Sequence, residues 1–510
     1  MVPGLSFWRE RAIKLAKLAL QPFVALVRTG STRMHVVDMV FHWARIDPHR
    51  PAIVLPELVT SFAGLADAVD SISNRIDQLG LDPREPVATA IGNPALSIAV
   101  VFALLRSGFS AVPANRPLIK HLQSNGIRNL IYDVEGMVAS GGRNIRFDNS
   151  WLPAAPSSGR AYQHRPIGDV ATILFTSGTT GLPKKFVQTR QGLDAHVVSG
   201  SVANAAQRSV LIIPGLATSF GFNHACEVLH SGKTVCCAPA QDAMLYLIGL
   251  HRVDTMVASP QQALGLAALK ELQPEWPVDS LQTIMMGGAG IGREGIRRIR
   301  AALCRNVVNI YGSTEAGPAA VTPLDLVEGI AGAVSVVAPW AEVEIVDNAG
   351  NPVPNGRDGI IRYRTPRFLA NVSPRGGSVT DQWFYPGDMG HLTDDGLLCL
   401  AGRISDVINI GGIKMSARHI EEILETMEEV REAAACGVED AAGMEQLWVA
   451  VVANGPVDSA TLKAKVQANP DVGENLSELF VLPELPRGDL GKVQKPKLKE
   501  MLLGLRKGPA

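Results

Sequence analysis

From Met34 onward, short apolar runs alternate with longer stretches of helical period. "PAIVL" (51–55), "PVATAIG" (86–92), "SAVPA" (110–114) and "NLIYD" (129–133) read as strands, while residues 63–79 and 95–107 read as helices between them. The alternation resumes in "SVLIIP" (209–214), "TVCCAP" (234–239), "TMVAS" (255–259), "TIMMGG" (283–288) and "VVNIYG" (307–312). Apolar strands alternating with helices predict an α/β protein with layered sheets. Between 340 and 400 the pattern changes. "AEVEIVD", "GIIRYR", "MGHLTD" and "GLLCLAG" are short strands separated by turn-rich "NAGNPVPNGRDG" and "DDG", which predicts an antiparallel β subdomain. Beyond Gly402 come an amphipathic helix (416–428), the strand-like "AAACGV" and "LWVAVVA", and a basic tail. That is a small α+β unit, joined near 403–406.

Residues 1–33 read as an addition. Arg9, Arg11, Lys14 and Lys17 are interleaved with Trp8, Ile13, Leu15, Leu18 and Leu20, as in a basic amphipathic helix. It would either pack on its own protein or lie on a membrane surface. No small-residue cleavage site follows a clean apolar core, against a signal peptide. The apolar runs at 18–27 and 95–105 fall short of the roughly 20 residues a membrane span needs. The expected location is cytoplasmic, with peripheral membrane contact through 1–33 left open.

The chain has 510 residues, 46% hydrophobic and 19% charged, a folding composition with room for several units. Its 48 basic and 49 acidic residues give a net charge of −1, so nothing global favours nucleic acid. The six cysteines have no CxxC spacing and sit among apolar neighbours, which predicts small buried thiols. Cys236 and Cys237 are adjacent in a strand and should point to opposite faces.

Five segments carry candidate chemistry. "TSGTTGLPKK" (176–185) follows a strand and precedes a helix expected near Gln191. Its glycines allow tight turns and exposed N–H groups, and its hydroxyls and Lys184 suit a polyphosphate, though Walker-loop spacing is absent. "NIYGSTEAG" (309–317) offers Thr314 and Glu315 after a glycine turn, a phosphate and magnesium pattern. "PGD" (386–388) sets Asp388 after a turn, where a carboxylate can accept both ribose hydroxyls; a plain turn Asp is the alternative. "GRISD" (402–406) joins Arg403 to Asp406, and "GDLGKVQK" (488–495) puts Lys492 on a loop before a basic helix.

In this order the five motifs resemble the adenylate-forming superfamily, the AMP-binding enzymes that include acyl- and aryl-CoA synthetases. The resemblance runs from about Met34 to the C-terminus. It implies a large N-terminal domain (34–403) of two α/β subdomains plus a small β-barrel subdomain at about 320–400. A small mobile α+β C-terminal domain (404–510) would follow. It also implies ATP, Mg²⁺ and coenzyme A as cofactors, and two steps: a carboxylic acid becomes acyl-AMP, and a thiol then takes the acyl group. By the resemblance, Thr176, Ser177, Gly178, Thr179, Thr180, Gly181 and Lys184 would hold the outer phosphates. Thr314 would meet the α-phosphate, and Glu315 would hold Mg²⁺. Gly288, Ala289, Tyr311 and Gly312 would border the adenine, with Tyr311 stacked on it. Asp388 and Arg403 would grip the ribose, Lys492 would neutralise charge in adenylation, and Gly411 and Gly412 would line the thiol path.

Four departures stand out. Lys185 occupies a position that is usually glycine. Ala217 stands where many relatives carry an aromatic or His. Ser405 stands at a hinge position that is often Asp or Lys, with Asp406 next to it. The stretch between "PANRP" and "NLIYD" is short. "PGLATSFGFNHA" (214–225) offers no carboxylate for a substrate ammonium, so the expected acid is fatty or otherwise hydrophobic, with an aromatic acid open. The alternatives are loading of a separate carrier protein in place of coenzyme A, a β-lactone-forming or other adenylate-using branch, and a non-catalytic nucleotide-binding relative.

Overall fold

The computed structural model describes residues 35–139, 141–153, 170–177, 183–203, 206–327, 333–372, 382–410, 413–440, 444–470, 472–488 and 493–507. Two α/β sheets dominate. One has eight strands, and its six inner strands are parallel: Val307–Ser313, Thr283–Gly287, Thr255–Ala258, Ser209–Ile212, Thr234–Cys236 and Pro51–Leu55. Antiparallel edge strands, Gly317–Pro323 and Leu58–Ser61, close its two sides. The other has six strands, parallel except for the edge hairpin of Val170–Ser177 with Pro183–Thr189.

The helix Pro94–Arg106 explains the second apolar run. Asn93 caps it through Ala95 N and Leu96 N, and every residue from Ile98 to Arg106 is buried. It shares one core with strand residues of both sheets, Ile53 and Val235 from one and Val87 and Ala111 from the other. A helix covered on all sides has no polar face to keep. Arg106 ends it in an ion pair with Asp70 at 2.8 Å. Among the described residues, no helix is long and apolar enough to cross a membrane. All six cysteines are free and buried. Cys236 and Cys237 fall in different core clusters, as alternation along a strand requires.

The predicted antiparallel region is a five-stranded sheet ordered Ala333–Val336, Leu397–Arg403, Asp388–Leu392, Gly359–Arg364 and Glu342–Val346. Its first strand is followed by a bridge from Val337 to Ala320, which ties it to the eight-stranded sheet. The last part of the chain is a hairpin, Val407–Ile410 with Ile413–Ser416, and a three-stranded sheet of Val430–Glu439, Glu445–Ala453 and Leu476–Val481. Leu447, Val449 and Val451 fill one face of that sheet, and Trp448, Ala450 and Val452 fill the other. The expected "PKKFVQT" loop is instead a strand, because Lys185 and Val187 point to solvent on an edge while Gln188 is buried. The following helix starts at Arg190.

Candidate active site

The parallel strands Thr283–Gly287 and Val307–Ser313 end side by side, and ligands of open α/β sheets bind at such carboxyl ends. After Ser313 the chain reverses through Thr314, Glu315 and Ala316 into Gly317–Pro323. A Cβ on Gly312 would sit 2.4 Å from Gly317 O, so only glycine lets this turn close. Gly317 itself has φ +75°. The turn is pinned by Ala316 N donating to Ser313 Oγ (3.1 Å) and by Thr365 Oγ1 donating to Ala316 O. Tyr363 Oη donates to the same Ser313 Oγ at 3.0 Å. Gly288, at φ +90°, has open space where a side chain would be.

Asp388 opens its strand directly after Gly387, and it lies opposite Arg403 in the antiparallel register. Arg403 Nε is 3.1 Å from Asp388 Oδ1, and Tyr311 Oη donates to Asp388 Oδ2 at 2.7 Å. Three residues from three strands therefore meet at one carboxylate. Asp388 is 7% exposed, while the Arg403 side chain is 45% exposed. Burial, and then the Asp388 charge, push the Tyr311 hydroxyl far above its ordinary range, so it stays a donor.

Other expected residues are placed in part. Thr176, Ser177 and Lys184 are at the end of the paired strands where the chain passes from one to the other, with Thr176 opposite Lys184. Gly178, Thr179, Thr180, Gly181, Gly411, Gly412, Lys492 and the 1–33 extension lie outside the described residues. Lys185 is exposed. Ala217 precedes Thr218, which caps the Ser219–His230 helix through Gly221 N. Ser405 Oγ donates to Asp406 Oδ1 (3.0 Å), and Lys495 holds Asp406 at 3.1 Å and Glu421 at 3.0 Å. Burial alone would lower the Lys495 ammonium, but those two carboxylates more than offset it.

A second polar cluster was not expected. His196 on the Arg190–Ala203 helix, Glu227 on the Ser219–His230 helix and Arg367 on the short Pro366–Val372 helix are all buried together. Arg367 Nη1 is 3.1 Å from His196 Nδ1. A guanidinium only donates, so Nδ1 must accept and the ring proton is on Nε2. His196 Nε2 lies 2.7 Å from Glu227 Oε1. Burial and the Arg367 charge hold His196 well below its ordinary value, which keeps the imidazole neutral between the two charges. The Arg367 guanidinium also stacks over Phe186, 5.4 Å from the ring centroid. Glu227 packs flush against Gly200, where a Cβ would come within 2.1 Å of its carboxyl carbon.

This cluster borders a small cavity of about 30 Å³ lined by His196, His224 and Glu227 and by apolar Met285, Ile310 and Trp340. Ile310 immediately precedes Tyr311 on one strand, and the two point to opposite faces: Ile310 packs on the core that holds Phe222, Tyr311 on the one that holds Tyr363. "PGLATSFGFNHA" itself holds no carboxylate, as its sequence says. Glu227 lies two residues past "PGLATSFGFNHA", one helical turn beyond His224, and i, i+3 spacing puts both on one face. That spacing was the available signal. Nothing local linked it to His196 or Arg367.

A family profile described as "AMP-binding enzyme" matches residues 40–371. Indoleacetate–CoA ligase of Aromatoleum aromaticum is 28% identical over 92% of this chain and 98% of its own length. Salicyl-AMP ligase of Mycobacterium tuberculosis is 26% identical over 88% of this chain and 86% of its own. Among solved structures, o-succinylbenzoate CoA synthetase from Bacillus subtilis, in complex with its acyl-adenylate intermediate, superposes with a TM-score of 0.75. It is 23% identical and covers 90% of this chain and 97% of its own, a likeness of fold.

Proposed function

The chain belongs to the AMP-binding enzymes, and we propose that it activates an aromatic carboxylic acid as its acyl-AMP and passes the acyl group to coenzyme A. It is an acid–thiol ligase of the AMP-forming kind, working with ATP, Mg²⁺ and coenzyme A. The observation that carries the reading is the meeting of Tyr311, Asp388 and Arg403 beside the Thr314–Glu315 turn. A buried carboxylate flanked by a donor and a cation suits two vicinal ribose hydroxyls, and the open space at Gly288 leaves room for a flat base.

In this reading Asp388 accepts the ribose hydroxyls and Arg403 holds Asp388 in place. Tyr311 borders the base, and the 176–184 hairpin tip holds the outer phosphates. Thr314 bonds the α-phosphate. Glu315 is the protein's ligand for Mg²⁺, an ion that keeps most of its shell as water and phosphate oxygen, so one carboxylate fits. Lys492 neutralises charge that builds between carboxylate and α-phosphate, without moving a proton. The aryl assignment draws on relatives named for indoleacetate and salicylate, and it replaces the fatty chain expected from sequence, which none of those names supports.

The test is acid-dependent ATP–pyrophosphate exchange across a panel of carboxylic acids, with AMP release measured with and without coenzyme A. Lys492→Ala should lower exchange by about 100-fold or more while ATP binding by calorimetry survives. Unchanged exchange removes Lys492 from this role, and exchange with no acid overturns the activation reading. A second reading, transfer to a separate carrier protein, is favoured by the salicyl-AMP ligase relative. It would show exchange with the same acid but no coenzyme A thioester.

A further inference from the structure

We propose that the short Pro366–Val372 helix is a strut that fixes the spacing of the two phosphate-binding segments, with Thr365, Arg367 and Asn371 as its positioning residues. The inference rests on the acid-activation reading and adds residues from outside the five sequence motifs.

The two segments hang from different sheets. Lys184 is on the Pro183–Thr189 strand, at the edge of the six-stranded sheet, and Thr314 and Glu315 are on the turn between two strands of the eight-stranded sheet. One triphosphate chain has to meet both, so their separation bears on binding and on alignment for attack. The Pro366–Val372 helix touches each segment. At its start, the Thr365 hydroxyl accepts from Phe368 N at 3.2 Å and donates to Ala316 O, the carbonyl of the residue after Glu315. At its far end, Asn371 Oδ1 accepts from Thr189 N at 2.9 Å, and Thr189 Oγ1 lies 3.2 Å from Ala370 O. Gly192 N donates to the same Thr189 Oγ1 at 2.9 Å. A Cβ on Gly192 would come within 2.0 Å of Asn371 Oδ1, so the missing side chain is what lets this end of the helix seat there.

Arg367 reaches both segments from within the helix. Its guanidinium lies over Phe186, two residues along the strand from Lys184. A Cβ on Gly317 would sit 3.1 Å from Arg367 Cδ and 3.4 Å from His196 Nδ1, so both side chains pack flush against the turn. Arg367 is 3% exposed and therefore acts through the turn and the strand rather than on the nucleotide. Burial brings its guanidinium down to about 10, and the Glu227 and Glu315 charges oppose that fall, so it remains a cation within electrostatic reach of Glu315. Reacting groups that must be aligned lose roughly 100-fold in rate for a misplacement of about 1 Å. A helix of seven residues moves as one body, so releasing either end disturbs the spacing of both segments.

The experiment is calorimetric titration of wild type, T365V, T365S and N371A with ATP and Mg²⁺ in the absence of acid, with AMP and adenosine as shorter ligands. T365V should weaken ATP at least about tenfold and weaken AMP too, because Thr314 meets the α-phosphate, while adenosine stays within about twofold. N371A should weaken ATP by a similar factor and spare AMP, because the hairpin meets only the outer phosphates. T365S keeps the hydroxyl and should bind ATP within about twofold of the wild type. The double variant T365V/N371A should lose less ATP affinity than the product of the two single losses, since one strut serves both segments. If T365V does not fold, N371A carries the test by its split between ATP and AMP. ATP affinity unchanged in T365V and N371A, equal losses for ATP, AMP and adenosine, or fully multiplicative losses in the double variant overturn the strut and leave acid activation standing. A wild type that shows no acid-dependent exchange with any acid overturns the activation reading, and this inference with it.

Discussion

The Asp388 cluster takes Tyr311 from the Val307–Ser313 strand, and the Glu227 cluster borders a cavity lined by Ile310 of the same strand, yet they are built in opposite ways. Asp388 and Arg403 face each other because two antiparallel strands are in register, and the arginine side chain remains half exposed. His196, Glu227 and Arg367 come from three separate helices and are wholly enclosed. The first arrangement is set largely by strand register and leaves its arginine within reach of solvent. The second depends on the packing of the whole core, and it holds charge where water cannot screen it.

The sharpest way to break this comparison is Arg367→Met. It removes the cation buried beside His196 and Glu227 and should cost about 3–5 kcal/mol of stability, read from denaturant unfolding. Adding Glu227→Leu should recover much of that loss. A single variant as stable as the wild type would mean the pair is not electrostatically coupled. Asp388→Ala should act on function instead, lowering kcat/KM for ATP about 100-fold, or roughly 2–3 kcal/mol, in exchange assays. If its main effect were on unfolding, the two clusters would not differ as argued.

A third test uses pH. His196 is held below its ordinary value in the folded protein, whereas the unfolded ring titrates near 6.5. The unfolded state therefore binds more protons on the acid side. The contribution is fully present above about pH 6.5 and is lost as pH falls, by up to about 1.4 kcal/mol per pH unit. His196→Asn should flatten that slope in denaturation series between pH 7 and 5. An unchanged slope would mean His196 is protonated within the fold. The smallest effect is expected at Lys185→Ala. Its side chain is exposed on an edge strand, so stability should move by about 0.5 kcal/mol or less and exchange by less than threefold. A larger loss of exchange would give Lys185 a part in holding phosphate.

The contrast also explains how much could be read from sequence. Asp388 stood out because a glycine turn and an acidic residue are neighbours in the chain, and Arg403 because it opens the joint expected near 403–406. Their meeting with Tyr311, 77 residues away from Asp388, was implied by the family resemblance and not by spacing. The parallel strands were legible because buried strands are unbroken apolar runs. "PKKFVQT" was not, since an edge strand with a solvent face loses that signal, and proline at its first position is tolerated there. Glu227 lies two residues past "PGLATSFGFNHA", and the residues buried with it, His196 and Arg367, are 31 and 140 positions away. Helix packing, not local pattern, brings them together.

The contact between Gly200 and Glu227 has a consequence for how this pocket could change over time. A side chain at 200 overlaps the carboxyl group at 227 at once, so the two positions are not independent. Shortening residue 227 first opens the route, and the reverse order passes through a clash. A saturation library at 200 alone should therefore return almost nothing but glycine, while the same library in a Glu227→Ala background should accept larger residues. Order of substitution, rather than availability of substitutions, limits how the packing around 227 can change.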